Sequence, residues 1–203
     1  MDVILASASP RRKSLLSMLY SDFKIMPSDI REMVPKDLSV EKCPEYLAQS
    51  KAETVSQGRE TSLVIGCDTS VIIDGTILNK PRDTNDARTM MNMLSGNVHK
   101  VITGCCICYL GKSYAFSVTT EVEFFDLTEK EIEDYIATSE PYDKAGGYAI
   151  QGKGAMFVKS IHGDYYNVVG LPVARLKRAI DEFLSSEEMK RLIYGNQPMM
   201  PII

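Results

Sequence analysis

Short apolar runs alternate along the chain with stretches in which apolar residues recur every three or four positions. The runs suit buried strands and the recurring stretches suit amphipathic helices, so their alternation predicts an α/β fold. Residues 3–6 make a first strand. Ser9 and Pro10 then supply an N-cap and a first helical residue for a helix carrying Leu15, Leu16, Met18 and Leu19. A second helix starts at Pro44 and stops near Gly58. Residues 63–67 predict a buried strand that ends at Asp68. Residues 71–73 and 76–78 flank Asp74-Gly75, the signature of a β-hairpin. A helix over 84–94 carries Met90, Met91 and Met93 toward the core and stops at Gly96. Residues 101–110 and 113–125 are strand candidates around Gly111-Lys112. Thr128 and Glu131 form a capping box for a helix to about residue 137. A glycine-rich stretch over 145–155 leads to two segments, 156–161 and 165–169, that flank a turn at His162-Gly163-Asp164. Pro172 opens a last helix to about 184, and the tail 195–203, without periodicity, is expected to be loosely held.

The 203 residues contain no internal repeat and no linker rich in Pro, Gly or Ser. We therefore expect one domain over 1–203, with two lobes around one sheet. A net charge of -4 disfavours a partner that is a nucleic-acid polymer, which calls for a basic footprint. It leaves room for a small phosphorylated ligand in a local basic pocket. No run approaches the ~20 apolar residues of a membrane span, and the N-terminal apolar run is too short for a signal-peptide core. Of five cysteines, Cys105, Cys106 and Cys108 crowd one strand-like run. An odd, clustered set reads as reduced thiols in a cytoplasmic protein rather than a disulfide framework. Zinc spacing is absent, and His99 and His162 lie far apart. A metal here would be Mg²⁺ or Mn²⁺ on oxygen ligands.

Several residues depart from what folding alone asks of them. Arg11, Arg12 and Lys13 fill the first turn of the first helix, where partial positive charge favours anions. With Ser7 and Ser9 they form either a phosphate site or an ordinary Ser cap with solvated cations. Lys51 shares a helix face with Leu47 and Val55, so it snorkels to water or reaches a buried anion. Asp68 follows a buried strand, at the sheet edge where α/β proteins bind ligands. It either caps Thr69 or Ser70, or holds a metal or takes a proton from water. Glu32, in a loop-like stretch, is a surface acid or its partner. Lys80-Pro81-Arg82 is a polyphosphate clamp or a solvated loop. In the stretch 145–155, Gly147 to Lys153 matches part of a P-loop. Gly154 stands where the Mg²⁺-binding Ser/Thr would be, and a strand follows, which argues against a true P-loop. Gln151 could read a nucleobase edge or be a plain surface residue.

Taken in order, Leu5-Ala6-Ser7-Ala8-Ser9-Pro10-Arg11-Arg12, Gly66-Cys67-Asp68-Thr69, Lys80-Pro81-Arg82-Asp83, the stretch 145–155 and Val169-Gly170-Leu171-Pro172 resemble the Maf family. The resemblance spans residues 5 to 172. It implies a two-lobed fold similar to inosine triphosphate pyrophosphatases, a mixed twisted sheet with flanking helices around a central cleft. It further implies a nucleoside triphosphate pyrophosphatase that uses a divalent metal, and a homodimer. By position, Asp68 would be the proton acceptor and metal ligand, with Glu32 as a second ligand. Ser7, Arg11, Arg12, Lys51, Thr69, Lys80 and Gln151 would bind substrate. Arg11, Thr69 and Gln151 match the branch that hydrolyses dTTP and UTP, while Asn79 stands where some members carry an acid. Two other readings stay open: a pyrophosphatase for 7-methyl-GTP or other modified nucleotides, and a nucleotide-binding regulator of cell division without turnover.

Overall fold

The strand-like runs assemble into one seven-stranded mixed sheet, seen in a computed structural model that describes residues 1–186, 189, 190 and 193. The tail from 195 lies outside the described residues. The strands are β1 (Asp2–Leu5), β2 (Lys24–Ile25), β3 (Ser62–Ile73), β4 (Thr76–Leu78), β5 (Val98–Tyr109), β6 (Lys112–Phe124) and β7 (Val158–His162). The helices are α1 (Pro10–Leu16), α2 (Cys43–Ser56), α3 (Thr84–Leu94), α4 (Glu129–Ile136), α5 (Tyr165–Val169) and α6 (Val173–Ser185). Strand order is β2-β1-β3-β5-β6-β7, with β4 paired to β3. β2, β1 and β3 are parallel, and the pairs from β3 to β7 are antiparallel.

Alternation along the strands divides the core between two faces. Ile4, Ala6, Val64, Cys106 and Cys108 face α2, where they meet Ala48, Ala52 and Val55. Leu5, Leu63, Ile65 and Cys67 belong to the larger core, with Leu15, Leu16, Met91, Leu94 and Leu176. All five cysteines are free thiols and buried.

The expected helices over 84–94 and from Pro172 form as α3 and α6, and the capping box of Thr128 and Glu131 opens α4. α1 ends at Leu16, short of the expected Met18 and Leu19, and three further expectations change. The strand expected to end at Asp68 and the first arm of the hairpin are one strand, β3. β5 pairs with it without interruption from Val64–Cys108 to Ile72–Lys100, which carries the polar residues 68–70 through the sheet. The turn expected at Gly111-Lys112 falls one residue earlier, at Leu110-Gly111. Both residues have positive φ, and Leu110 donates its N–H to Glu60 O at 2.7 Å. The segment 165–169 is helical, because the Asp164 carboxylate caps it by accepting the N–H groups of Tyr166 and Asn167.

β3 lacks a strand partner over part of one edge. Its neighbour on that side is β1 up to Leu5–Ile65 and β4 from Val71–Leu78. Between them, residues 66–70 face an opening in the sheet. α2 closes one side of it, lying so near that a Cβ on Gly104 would sit 2.2 Å from Pro44 O and one on Gly66 2.3 Å from Ala48 O.

Gly104→Ala is therefore expected to push α2 off the sheet and cost about 1–3 kcal/mol, as overpacking does. A lowered urea midpoint with unchanged slope is the expected result.

Candidate active site

The opening beside residues 66–70 of β3 widens into a cleft of about 1010 Å³. Its lining includes five basic side chains (Arg11, Arg12, Lys51, Lys80 and Lys144) and three acidic ones (Glu32, Asp68 and Asp143). Ser7, Thr69, Asn79 and Gln151 line it as well. Ser7, Arg11, Arg12, Glu32, Lys51, Asp68, Thr69, Lys80 and Gln151 thus border one cavity, large enough for a nucleotide, whereas Lys13 and Arg82 do not line it.

Strand alternation sends Asp68 toward α2 and Thr69 toward the opposite face. On the first face, Lys51 reaches in from α2 and its ammonium lies 2.6 Å from Asp68 Oδ1 and 2.6 Å from Glu32 Oε1. The lysine in the apolar stripe therefore finds anions instead of snorkelling to water. The Lys51 and Asp68 side chains are only 12% and 14% exposed, whereas Glu32, on the irregular chain between β2 and α2, is 55% exposed. Burial pushes the Asp68 carboxyl above its ordinary range, against the pull of Lys51 and Arg12. Asp68 Oδ2 accepts no protein hydrogen bond among the described residues.

On the second face, Arg12 is held by three bonds. Nε donates to Gly170 O at 3.0 Å, Nη1 to Ser7 Oγ at 3.2 Å and Nη2 to Thr69 Oγ1 at 3.0 Å. A guanidinium has five N–H groups, so two remain for a ligand. Ser7 Oγ also accepts the N–H of Ser9 at 3.3 Å, which leaves its own O–H to donate. α1 itself has only seven residues and is capped by Ser9, so the arginine forks, more than the helix terminus, make this wall attractive to an anion.

A buried polar chain continues behind Arg12. Thr103 Oγ1 donates to Asn167 O at 2.9 Å, so across its 3.0 Å contact with Thr69 the hydrogen comes from Thr69. Thr69 accepts from Arg12 and donates to Thr103, and only an acceptor lone pair is left for a ligand. The Asn167 amide accepts Thr103 N–H and donates to Val101 O and Thr120 Oγ1. Thr103, Thr120 and Asn167 are each fully buried. Sequence reading missed these supports of Arg12, since a buried Thr or Asn has no local signature. It also missed Lys144, which donates to Glu140 O at 3.1 Å and pairs with Asp143. Lys144, with a smaller contribution from Arg11, holds the Asp143 carboxyl below its usual range.

Lys80 and Gln151 are exposed at the rim, and neither side chain has a hydrogen-bond partner among the described residues. Asn79 contributes its carbonyl, which accepts Gly146 N–H at 3.2 Å. His99 lies away from the cleft lining. Burial pushes its pKa down to about 4, and its Nε2 pairs with Tyr148 OH at 2.8 Å.

Residues 2–183 match the family described as Maf-like protein. The chain belongs to the Maf-like family. Among its relatives is a dTTP/UTP pyrophosphatase of Bacillus cytotoxicus, 48% identical over 180 residues, or 89% of this chain and 94% of the relative. A second, the dTTP/UTP pyrophosphatase of Geobacillus sp. strain WCH70, is 49% identical over 178 residues, 88% of this chain and 96% of the relative. In architecture the chain is similar to a HAM1 protein from Coxiella burnetii. The TM-score is 0.55 at 13% sequence identity, and the match covers 90% of this chain and 99% of that one. This likeness concerns the fold alone, which is the mixed α/β sheet with flanking helices that the sequence implied.

The two carboxylates on Lys51 also test the fit of a divalent metal. Asp68 and Glu32 aim oxygens at one point of positive charge, as two ligands of a hard cation do. Among the described residues no group of three or more His, Cys, Asp or Glu could hold a metal ion. The two oxygen donors therefore fit a hard divalent cation whose remaining ligands come from bound oxygens and water.

Two outcomes follow. In a carboxyl ¹³C NMR titration of the free protein, Asp68 should titrate above 3.8, and Lys51→Met should move it higher still. A raised folded-state value means that any stability tied to this proton is full below 3.8 and is lost as pH rises through the folded value. Separately, Thr103→Val removes a buried donor and acceptor together and should cost about 1–3 kcal/mol in urea unfolding.

Proposed function

We propose that this chain is a nucleoside triphosphate pyrophosphatase that hydrolyses dTTP and UTP to the monophosphate and pyrophosphate. The observation that carries the reading is the meeting, in one cleft, of a largely enclosed carboxylate with cations from α1, α2 and the segment after β4. Relatives named dTTP/UTP pyrophosphatase, alike over nearly the whole chain, support the substrate class.

In this reading the triphosphate lies along Arg12, Lys51 and Lys80, which offset much of its roughly four negative charges. Ser7 donates its free hydroxyl hydrogen to a phosphate oxygen. Water attacks the α-phosphorus, the bond from that phosphorus to the bridging oxygen breaks, and pyrophosphate leaves. Asp68 accepts the water's proton, a task for which Oδ2 is free of protein hydrogen bonds. A carboxyl raised toward the working pH is a stronger base than an ordinary one. Asp68 and Glu32 would hold the divalent metal, whose charge would neutralise phosphate oxygens and lower the pKa of bound water.

The base end is read by few groups. Thymine and uracil present O4 as an acceptor and N3–H as a donor. The Gln151 amide can satisfy both, and Thr69 can accept from N3–H directly or through water. Arg11 completes the set. A cytoplasmic homodimer belongs to the same reading. Each protomer carries all the cleft residues named here, so the chemistry is complete within one chain.

The test is a panel of nucleoside triphosphates with Mg²⁺ or Mn²⁺, scored for pyrophosphate against orthophosphate. Pyrophosphate from dTTP and UTP is expected. Asp68→Asn should lower kcat by about 10²–10⁴-fold, the usual contribution of a general base. Gln151→Glu should turn preference from dTTP and UTP toward CTP, whose amino group can donate to a carboxylate. Orthophosphate would make the protein a phosphatase, and tight nucleotide binding without release would make it a regulator.

A further inference from the structure

The turn that carries Gln151 is anchored in the core at Ile150, and beyond that residue it leaves the core. Residues 151–153 are exposed, and the Gln151 side chain makes no hydrogen bond among the described residues. An amide that must tell O4 from an amino group cannot do so from a loose turn, because reading a base edge requires donor and acceptor at fixed positions. The support comes from the segment after α4. Glu140 sends its carboxylate beneath the turn, where Oε2 accepts Lys153 N–H at 2.9 Å and Oε1 accepts Gly154 N–H at 3.0 Å. Oε1 also accepts the hydroxyl of Tyr135 at 3.0 Å, and Tyr135 is buried in α4. The carboxylate fills the space over Gly152, where a Cβ would lie 2.4 Å from Oε2. Burial pushes the Glu140 carboxyl up, but the two N–H groups and the Tyr135 hydroxyl outweigh it and hold it below its ordinary range. The anion is thus the bound form. The glycine at 152 has a negative φ that any residue could adopt, so its smallness answers to Glu140 alone.

We propose that Glu140 is a positioning residue for base discrimination: its carboxylate fixes the backbone just after Gln151 and so aims the Gln151 amide at the pyrimidine. The proposal rests on the reading of Gln151 as a base-contacting residue. Glu140 does not line the cleft, so it acts through the turn. A glutamine at 140 has the same shape but brings an NH2 group against a backbone N–H, so at least one of the two bonds is lost. Gly152→Ala attacks the same contact from the other side and leaves the carboxylate chemically intact.

The experiment compares kcat/KM for dTTP, UTP and CTP in the wild type, Glu140→Gln, Gly152→Ala, Gln151→Ala and the double variant Glu140→Gln/Gln151→Ala. Inhibition by inorganic tripolyphosphate serves as a probe without a base, and a melting curve accompanies each variant. Glu140→Gln and Gly152→Ala should each lower the preference for dTTP and UTP over CTP about tenfold, the worth of one misaligned hydrogen bond. Tripolyphosphate inhibition should stay unchanged. In the Gln151→Ala background the Glu140 change should shift the preference no further. A purely structural role would lower the melting temperature and all three substrates alike, and that result overturns the proposal. So does an unchanged preference in Glu140→Gln where Gln151→Ala does change it; there the reading of Gln151 survives and the role of Glu140 does not. If Gln151→Ala leaves the preference unchanged, the reading of Gln151 itself fails and the proposal falls with it.

Discussion

Ionising a carboxyl as enclosed as Asp68 costs free energy that only nearby cations can offset. Lys51 is that cation on one face of β3 and Arg12 approaches from the other. Neither arrives by chance. Lys51 reaches the strand because Gly66 and Gly104 let the α2 backbone lie against the sheet. Arg12 reaches it because β1 stops at Leu5 and β4 begins pairing only at Val71, which leaves β3 open where the guanidinium enters. Burial still raises the Asp68 carboxyl, so the cations offset the cost only in part. The remainder is stability given up at working pH, in exchange for a base stronger than a surface aspartate.

The two walls of the cleft are held by different physics. Arg12 is the outer end of a buried relay through Thr69, Thr103 and Asn167, in which each donor and acceptor has one assignment. Reversing a hydroxyl there would strand a buried carbonyl, so the phosphate wall is rigid. Lys51, by contrast, is held by two carboxylates with no backbone bond, one of them on irregular chain. Its ammonium occupies the point toward which both carboxylates aim. Asp68 and Glu32 would hold a divalent metal there, and its charge would share with Lys51 the task of offsetting a phosphate.

Much of this was legible in the residues because local rules decide it. The Ser9-Pro10 start, the Asp74-Gly75 turn and the Thr128–Glu131 box are satisfied within a few residues of chain, and the structure keeps them. Lys51 in an apolar stripe and cations after Ser9 were visible as departures from such rules. Position within the sheet was not. Asp68 looked like the end of a strand because polar residues follow it, yet β5, more than thirty residues on, pairs straight through them. Tyr165 to Val169 is apolar enough for a strand, and the Asp164 cap decides for a helix. Thr103 and Asn167 gave no sign at all, because their meaning lies in partners distant in sequence.

On the proposed reading, the same division lets one cleft bind a triphosphate and still choose its base. Charge contacts to a triphosphate are common to every nucleotide, so Arg12, Lys51 and Lys80 add affinity without preference. Preference has to come from groups that leave a donor or acceptor unpaired when the wrong base enters. Those groups are few, and Gln151 stands on an exposed turn. Discrimination then depends less on how strongly the amide binds than on how little it can move to accommodate the alternative. Past the buried Ile150, the exposed residues 151–153 can be stiffened only by hydrogen bonds to their backbone. Glu140, braced by Tyr135, supplies two such bonds from outside the cleft. On this reading Glu140 bears on selectivity without adding a charge contact to the triphosphate.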